Sequence, residues 1–407
     1  MPKPDAPSAR AAMPPDARRL LLARGLRGMA DGYMAVLLPA YLLALGFGTA
    51  DVGLIATATL LGSALCTLAV GAWGQRFESS RLLRAAAVLM VATGAGFAGL
   101  GEFWPLMLVA FVGTLNPSAG DVSVFLPLEQ VRLAEAASGA ARTALFARYS
   151  VVGALCAALG ALLVAVPAAL QRSFGLAALP ALRAMFLLYA LIGIALWWLY
   201  RRLPVAPAHG SGAAPVALGP SRAIVVRLAA LFSVDAFAGG LIANALLSLW
   251  LLQRFGLSLA QTGAFFFWTG LLSAASQLAA PRVAQRFGLL NTMVFTHIPS
   301  SVCLILAALS PSLPVALGLL FVRAALSQMD VPTRTAYVMA VVTPPERPAA
   351  ASFTSVPRSL AAALSPGLTG AAFAAGWLAA PLVAAGLLKI AYDLVLWRAC
   401  RRDSLDG

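Results

Sequence analysis

The stretch Gly46-Phe47-Gly48-Thr49-Ala50-Asp51-Val52-Gly53 recurs 210 residues later as Gly256-Leu257-Ser258-Leu259-Ala260-Gln261-Thr262-Gly263. At the same offset Gln75-Arg76-Phe77 recurs as Gln285-Arg286-Phe287, Arg148 falls on Arg358 and Gly160 falls on Gly370. Asp121-Val122 recurs as Asp330-Val331 one residue short of that offset. One such match means little, but several in order along both halves describe a chain built from two copies of one unit. Residues 202–221, rich in Pro, Gly, Ala and Ser, fall between the copies.

The content of each unit follows from composition. Of 407 residues 61% are hydrophobic and 11% charged, and the mean hydropathy is +0.87. Soluble domains run near half apolar and a quarter charged. A membrane helix takes about 20 apolar residues, so the chain has room for a dozen spans and little else. An extracellular disulfide scaffold, a large nucleotide-binding domain and a nucleic-acid-binding module are excluded. Apolar runs between breakers predict spans near 20–46, 50–74, 82–101, 104–128, 143–168, 181–201, 222–252, 259–281, 289–309, 313–341, 351–376 and 379–399. The first run follows Arg18-Arg19 but is too long and too charged for a cleaved signal, and is expected to stay as a span. The expected organisation is a disordered tail at 1–19, a six-helix bundle at 20–201, a linker at 202–221, a second six-helix bundle at 222–399 and a tail at 400–407.

The formal net charge of +14 is a topology signal. With the N-terminus inside, 22 of the 29 basic residues fall on the inner side, three on the outer side (Arg172, Arg183, Arg254) and four within spans (Arg24, Arg27, Arg323, Lys389). Positive charge resists translocation, so both termini are expected in the cytoplasm. Trp197, Trp198 and Tyr200 before Arg201-Arg202 read as interfacial anchors. Cys66, Cys156, Cys303 and Cys400 have no paired spacing, and His209 and His297 stand apart, so no metal site or cofactor is expected.

Twelve spans in two parallel halves, a central loop, and a basic turn after spans 2 and 8 (Arg76, Arg286) resemble the major facilitator superfamily over essentially the whole chain. The turns depart from the family's pattern. Gln75 and Gln285 stand where an acid is usual, and Glu78 replaces a glycine that the second half keeps as Gly288. No proline lies between Gly153 and Gly160, so the antiporter signature of span 5 is missing. The resemblance implies an all-α integral membrane fold of two parallel six-helix bundles. It also implies alternating access by rocking of the bundles, with spans 1, 4, 7 and 10 lining a central cavity. Arg76 and Arg286 would sit at conformational turns.

A charge at the bilayer centre costs from about 2.5 to more than 10 kcal/mol and marks function by default. The deep acids Asp31, Asp121, Asp235 and Asp330 fall one on each of spans 1, 4, 7 and 10. Lys389 and Asp393 form an i, i+4 pair on span 12. Asp121 with Arg148, and Asp330 with Arg358, recur in both halves and are expected to be structural or gating pairs. Asp31, Asp235, Arg24, Arg27 and Arg323 have no counterpart in the other half. A cargo does not share its carrier's pseudo-symmetry, so these are the candidates for handling it. Asp235, with no base within a helical turn, is expected to be the leading proton-coupling group and Asp31 the second. Arg24, Arg27 and Arg323 are expected to face the substrate cavity.

The expected function is proton-coupled export of a small amphipathic or toxic compound. Polyspecific efflux is common among compact bacterial inner-membrane carriers, and that supplies the direction. The protein is expected to act as a monomer on a small molecule and protons, with no nucleic acid partner. One alternative is uptake or facilitated movement of an anionic metabolite held by Arg27 and Arg323. Another is a non-transporting sensor or scaffold with the carrier fold. No zinc, nucleophile-elbow or phosphate-cradling motif suggests an enzyme.

Overall fold

The computed structural model describes residues 14–118, 123–136, 139–204 and 218–400. The first body holds α1 (Pro15–Ala44), α2 (Thr49–Trp73), α3 (Ser79–Gly99), α4 (Phe103–Val112), α5 (Phe125–Ala136), α6 (Gly139–Leu162), α7 (Val166–Phe174) and α8 (Ala178–Arg201). The second holds α9 (Arg222–Leu241), α10 (Asn244–Phe255), α11 (Leu259–Phe287), α12 (Leu289–Leu309), α13 (Leu313–Ser327), α14 (Asp330–Val341), α15 (Arg347–Leu364), α16 (Pro366–Ala374) and α17 (Ala380–Cys400). Taken as crossings, α4–α5, α6–α7, α9–α10, α13–α14 and α15–α16 are each one broken helix. The described residues thus make six crossings on either side of the central connection.

The helix breaks follow local chemistry. Pro366 opens α16 directly after Ser365, because proline has no N–H for the preceding turn. Gly239-Gly240 precede the kink at Ile242-Ala243 between α9 and α10. Backbone groups freed inside a membrane must meet protein or water, and here they link the two bodies. The Ala245 N–H donates to the Pro117 carbonyl at 2.9 Å. The Gly367 N–H donates to the Thr57 hydroxyl at 2.8 Å.

Small residues bring the helices close, which is how packing gains contact without a hydrophobic drive between helices. Gly28 and Gly32 of α1 face α6, and a Cβ on Gly32 would sit 2.0 Å from the Ala157 carbonyl oxygen. Gly160 of α6 returns the contact against Met29 of α1. The repeated glycines also join the bodies to each other. Gly53 of α2 lies against Gly370 of α16, and Gly263 of α11 lies against Ala161 and Val164.

Two apolar cores result. One runs through the first body and continues into the second through Trp250, Phe265, Leu320 and Phe373. The other, around Val225, Phe232, Met293, Val338 and Leu396, belongs to the second body alone and lies toward the termini. The bodies therefore fuse at the end remote from the termini and part at the other. Outward-facing Trp104, Leu191, Phe295 and Leu306 are exposed, as a lipid-facing belt requires. The Arg201 and Arg202 guanidiniums stack on Trp197 and Trp198, 5.6 and 3.4 Å from the ring centroids.

Helix α1 begins at Pro15, so residues 15–19, expected in a disordered tail, form its first turn. Proline at the first helical position loses no hydrogen bond there. Helices α8 and α9 end and begin at Arg201 and Arg222, while 205–217 and 401–407, within the expected linker and tail, lie outside the described residues.

Candidate functional site

Between the bodies lies a cavity of about 1590 Å³. Its mouth is marked by Phe77 and Ser79 after α2 and by Ser352 and Ser355 of α15, at the end where α1 begins and α17 ends. Its deep end is bounded by Val36, Leu247, Phe265 and Leu320. Beyond that the Ser248 hydroxyl of α10 donates to the Val36 carbonyl of α1 at 3.1 Å, and the Gly53–Gly370 and Gly263–Ala161 contacts close this end.

The wall of the second body carries a four-helix charge cluster. Asp235 of α9 accepts from Lys389 Nζ of α17 at 2.5 Å through Oδ1 and from Arg334 Nη1 of α14 at 3.1 Å through Oδ2. Arg334 also pairs with Asp330 at 3.1 Å. His297 of α12 places Nε2 3.9 Å from Asp235 Oδ1, and its Nδ1 lies 3.0 Å from Asp393 Oδ2. An imidazole thus joins a cavity-wall carboxylate to one buried behind it. Asp235, His297, Arg334 and Lys389 all line the cavity, while Asp393 is 1% exposed.

Asp235 was expected to be without a basic neighbour, and the structure corrects this. Its partners come from α12, α14 and α17, which sequence spacing along α9 does not show. Asp330 pairs with Arg334 one turn along α14, and no ion pair joins it to Arg358. Arg334 was not among the expected site residues; α14 carries it to the cavity wall, where it is 6% exposed.

The first body carries a separate network. Arg27 of α1 pairs with Glu129 of α5, which is fully buried. The Tyr200 hydroxyl donates to Glu129 Oε1 at 2.5 Å, and Tyr149 donates to Oε2 while accepting from Arg27 Nη2 at 3.1 Å. Arg27 also donates to the Ser123 hydroxyl at 3.2 Å and lies over the Phe125 ring at 4.9 Å. With its Nη donors taken up in the bundle interior and its Nε buried without a partner there, Arg27 is not among the cavity-lining residues, against expectation. Glu129 escaped sequence reading because it lies one residue past the expected end of span 4. Helix α5 in fact continues to Ala136 and carries it into the bundle.

Asp31, Arg24, Arg323 and Arg358 also line the cavity. Arg24 lies over the Tyr149 ring at 5.1 Å. Arg148 is exposed on α6, and its expected partner Asp121 lies outside the described residues. Arg76 and Arg286 both fall at the end of the molecule that bears the mouth, after α2 and in the last turn of α11. Among the described residues no group of three His, Cys, Asp or Glu side chains could hold a metal ion.

The comparisons agree with this geometry. The Major Facilitator Superfamily model matches residues 228–404. The structure superposes on the nucleoside transporter NupG with a TM-score of 0.73 at 13% identity, covering 95% of this chain and 99% of that one. A bacterial homologue of the human lysosomal transporter Spinster, inward-facing and unoccupied, gives 0.72 at 15% identity over 97% and 98%. The inward-open xylose transporter XylE of E. coli gives 0.72 at 15% identity over 94% and 96%. In sequence the chain is 24% identical to an uncharacterized membrane protein of Saccharomyces cerevisiae, over 94% of this chain and 93% of that protein. By fold throughout, and by the family model over residues 228–404, this chain is similar to the major facilitator superfamily. It is a multi-pass membrane protein with that family's transporter fold.

Proposed function

We propose that the chain is a secondary active transporter that works by alternating access, coupling proton movement to export of a small amphipathic compound. It acts as a monomer in the inner (plasma) membrane with both termini in the cytoplasm. In that orientation the structure is the inward-open state, ready to load from the cytoplasm. The observation that carries the reading is the cluster of Asp235, Lys389, Arg334 and His297 on the wall of this cavity. A proton entering from the mouth reaches His297 and Asp235 directly. Protonation of Asp235 cancels its ion pairs with Lys389 and Arg334, loosening α9 from α14 and α17 inside the body that must rock. Asp31, on the facing wall, is the second acid in this reading. The apolar deep end, with Phe265 and Phe266, supplies surface for the uncharged part of a cargo.

The test is transport by the purified chain in proteoliposomes under an imposed pH gradient. Asp235→Asn is expected to abolish gradient-driven accumulation while leaving counterflow exchange. Full pH-driven transport by Asp235→Asn refutes the assignment. Absence of any flux across a broad panel of amphipaths favours the scaffold alternative.

A further inference from the structure

Five basic and three acidic side chains line the cavity among the described residues. The two acids of the second body are already taken: Asp235 by Lys389 and Arg334, and Asp330 by Arg334. Arg323 of α13 and Arg358 of α15 are left over. Among the described residues no carboxylate lies within 4 Å of either guanidinium, since the recorded ion pairs involve neither. Arg358 nonetheless feels the field of Asp235 and Asp330, whereas Arg323 feels that of no carboxylate among the described residues. An uncompensated guanidinium inside a membrane protein is costly to keep, and water in an open cavity offsets that cost only in part.

The surroundings of Arg323 define what would offset the rest. On the adjoining helix α11, Phe266, Thr269, Ser273 and Gln277 line the same cavity. Ser273 donates to the Ala324 carbonyl at 3.5 Å, and Gln277 donates to Gln328 at 3.3 Å, so this seam packs directly beside the arginine's helix. An aromatic ring, short polar side chains and a guanidinium in sequence along one wall suit a planar apolar body with an anionic head. Guanidinium binds carboxylate and sulfonate oxygens by paired charge-assisted hydrogen bonds.

We propose that Arg323 is the anion-recognition group of this cavity, so that the cargo is an amphipathic organic anion such as an aryl carboxylate or sulfonate. The assignment rests on reading the cavity as a transport chamber, and it names the cargo class of that same site. Arg323 has no basic counterpart in the first body, where Gly113 occupies its place at the repeat offset. A residue that serves a single cargo need not be duplicated.

Equilibrium binding to the full chain in detergent tests this without any gradient, so failure of proton coupling and failure of this site are separable. The probes are 2-naphthoate and naphthalene-2-sulfonate, with 2-naphthalenemethanol as neutral control and 2-naphthylmethylammonium as cationic control. Thermal stabilisation is expected with the two anions and with neither control. Arg323→Gln is expected to weaken anion binding about tenfold or more, whereas Arg254→Gln, in the last turn of α10, leaves it unchanged. Removing an unpaired charge relieves strain, so the unliganded Arg323→Gln protein should melt no lower than the native chain. Equal stabilisation by the neutral alcohol, or undiminished anion binding by Arg323→Gln, overturns the proposal. So does a large drop in unliganded melting temperature for Arg323→Gln, which would reveal an internal ion pair.

Discussion

Substituting Gly53 by alanine tests the outer seal most directly. A Cβ there would lie 2.7 Å from the Pro366 carbonyl oxygen and 2.8 Å from the Gly370 Cα. Both are backbone atoms of α16, which cannot rotate aside as a side chain could. Accommodating the methyl requires α2 and α16 to separate, and overpacking of this kind costs about 1–3 kcal/mol. The contact joins the two bodies at the closed end and is lost when they rock apart there, so the cost falls on the inward-open state. The ratio of outward-open to inward-open molecules should therefore rise about 5- to 150-fold. Ser248, fully buried behind the seal, reports this. In a background without the native cysteines, the Ser248→Cys thiol should react with an impermeant maleimide from the outer face faster by that factor when Gly53→Ala is added. Gly318→Ala, where an added Cβ meets nothing within 4 Å, should leave the rate unchanged. An unaltered rate for Gly53→Ala in a protein of normal melting temperature would refute the argument that this contact holds one conformer.

Two further expectations concern the second body. Asp235→Asn leaves Lys389 and part of Arg334 without their carboxylate, and breaking a buried pair from one side costs about 3–5 kcal/mol. The double variant Asp235→Asn, Lys389→Met should recover much of that in thermal unfolding, and failure to recover would show that the pair is not the source of the loss. At the mouth end of the molecule, Glu346 ties the end of the central connection to the turn after α14. It is held down to about 2 by hydrogen bonds from the Ser221 and Thr343 hydroxyls and the Gly219 N–H. A carboxyl lowered in the folded state stabilises fully above its unfolded value of about 4.3 and loses that contribution as pH falls toward 2. Hydrogen exchange at Gly219 should therefore be independent of this group between about pH 5 and 8 once intrinsic rates are divided out. Glu346→Gln should raise it at neutral pH.

The acids on α9 and α14 were legible as buried because a hydropathic run with one charge is conspicuous; the partners of Asp235 were not. Lys389, Arg334 and His297 meet their carboxylates across 154, 99 and 96 residues respectively, and no spacing rule operates over such intervals. Arg27 shows the same limit. Its face on α1 could be read from i, i+3, i+7 spacing, but whether that face met the cavity or the bundle interior depended on Glu129 reaching it from α5. Glu129 itself was missed because a helix's end is weakly marked where apolar composition fades gradually.

What the chain's order of residues determined by itself was its duplication, its crossings and the glycines that later form the seal. Hydropathy and small-residue placement act through the local helix and its nearest packing, so they are written in short range. Tertiary structure alone decided which charges are satisfied and which are left facing the cavity, because electrostatic pairing depends on distances between helices far apart in the chain. Asp235 and Arg323 exchanged roles on that account: the lone acid proved to be surrounded by cations, and the arginine proved to be the charge without a counter-ion among the described residues.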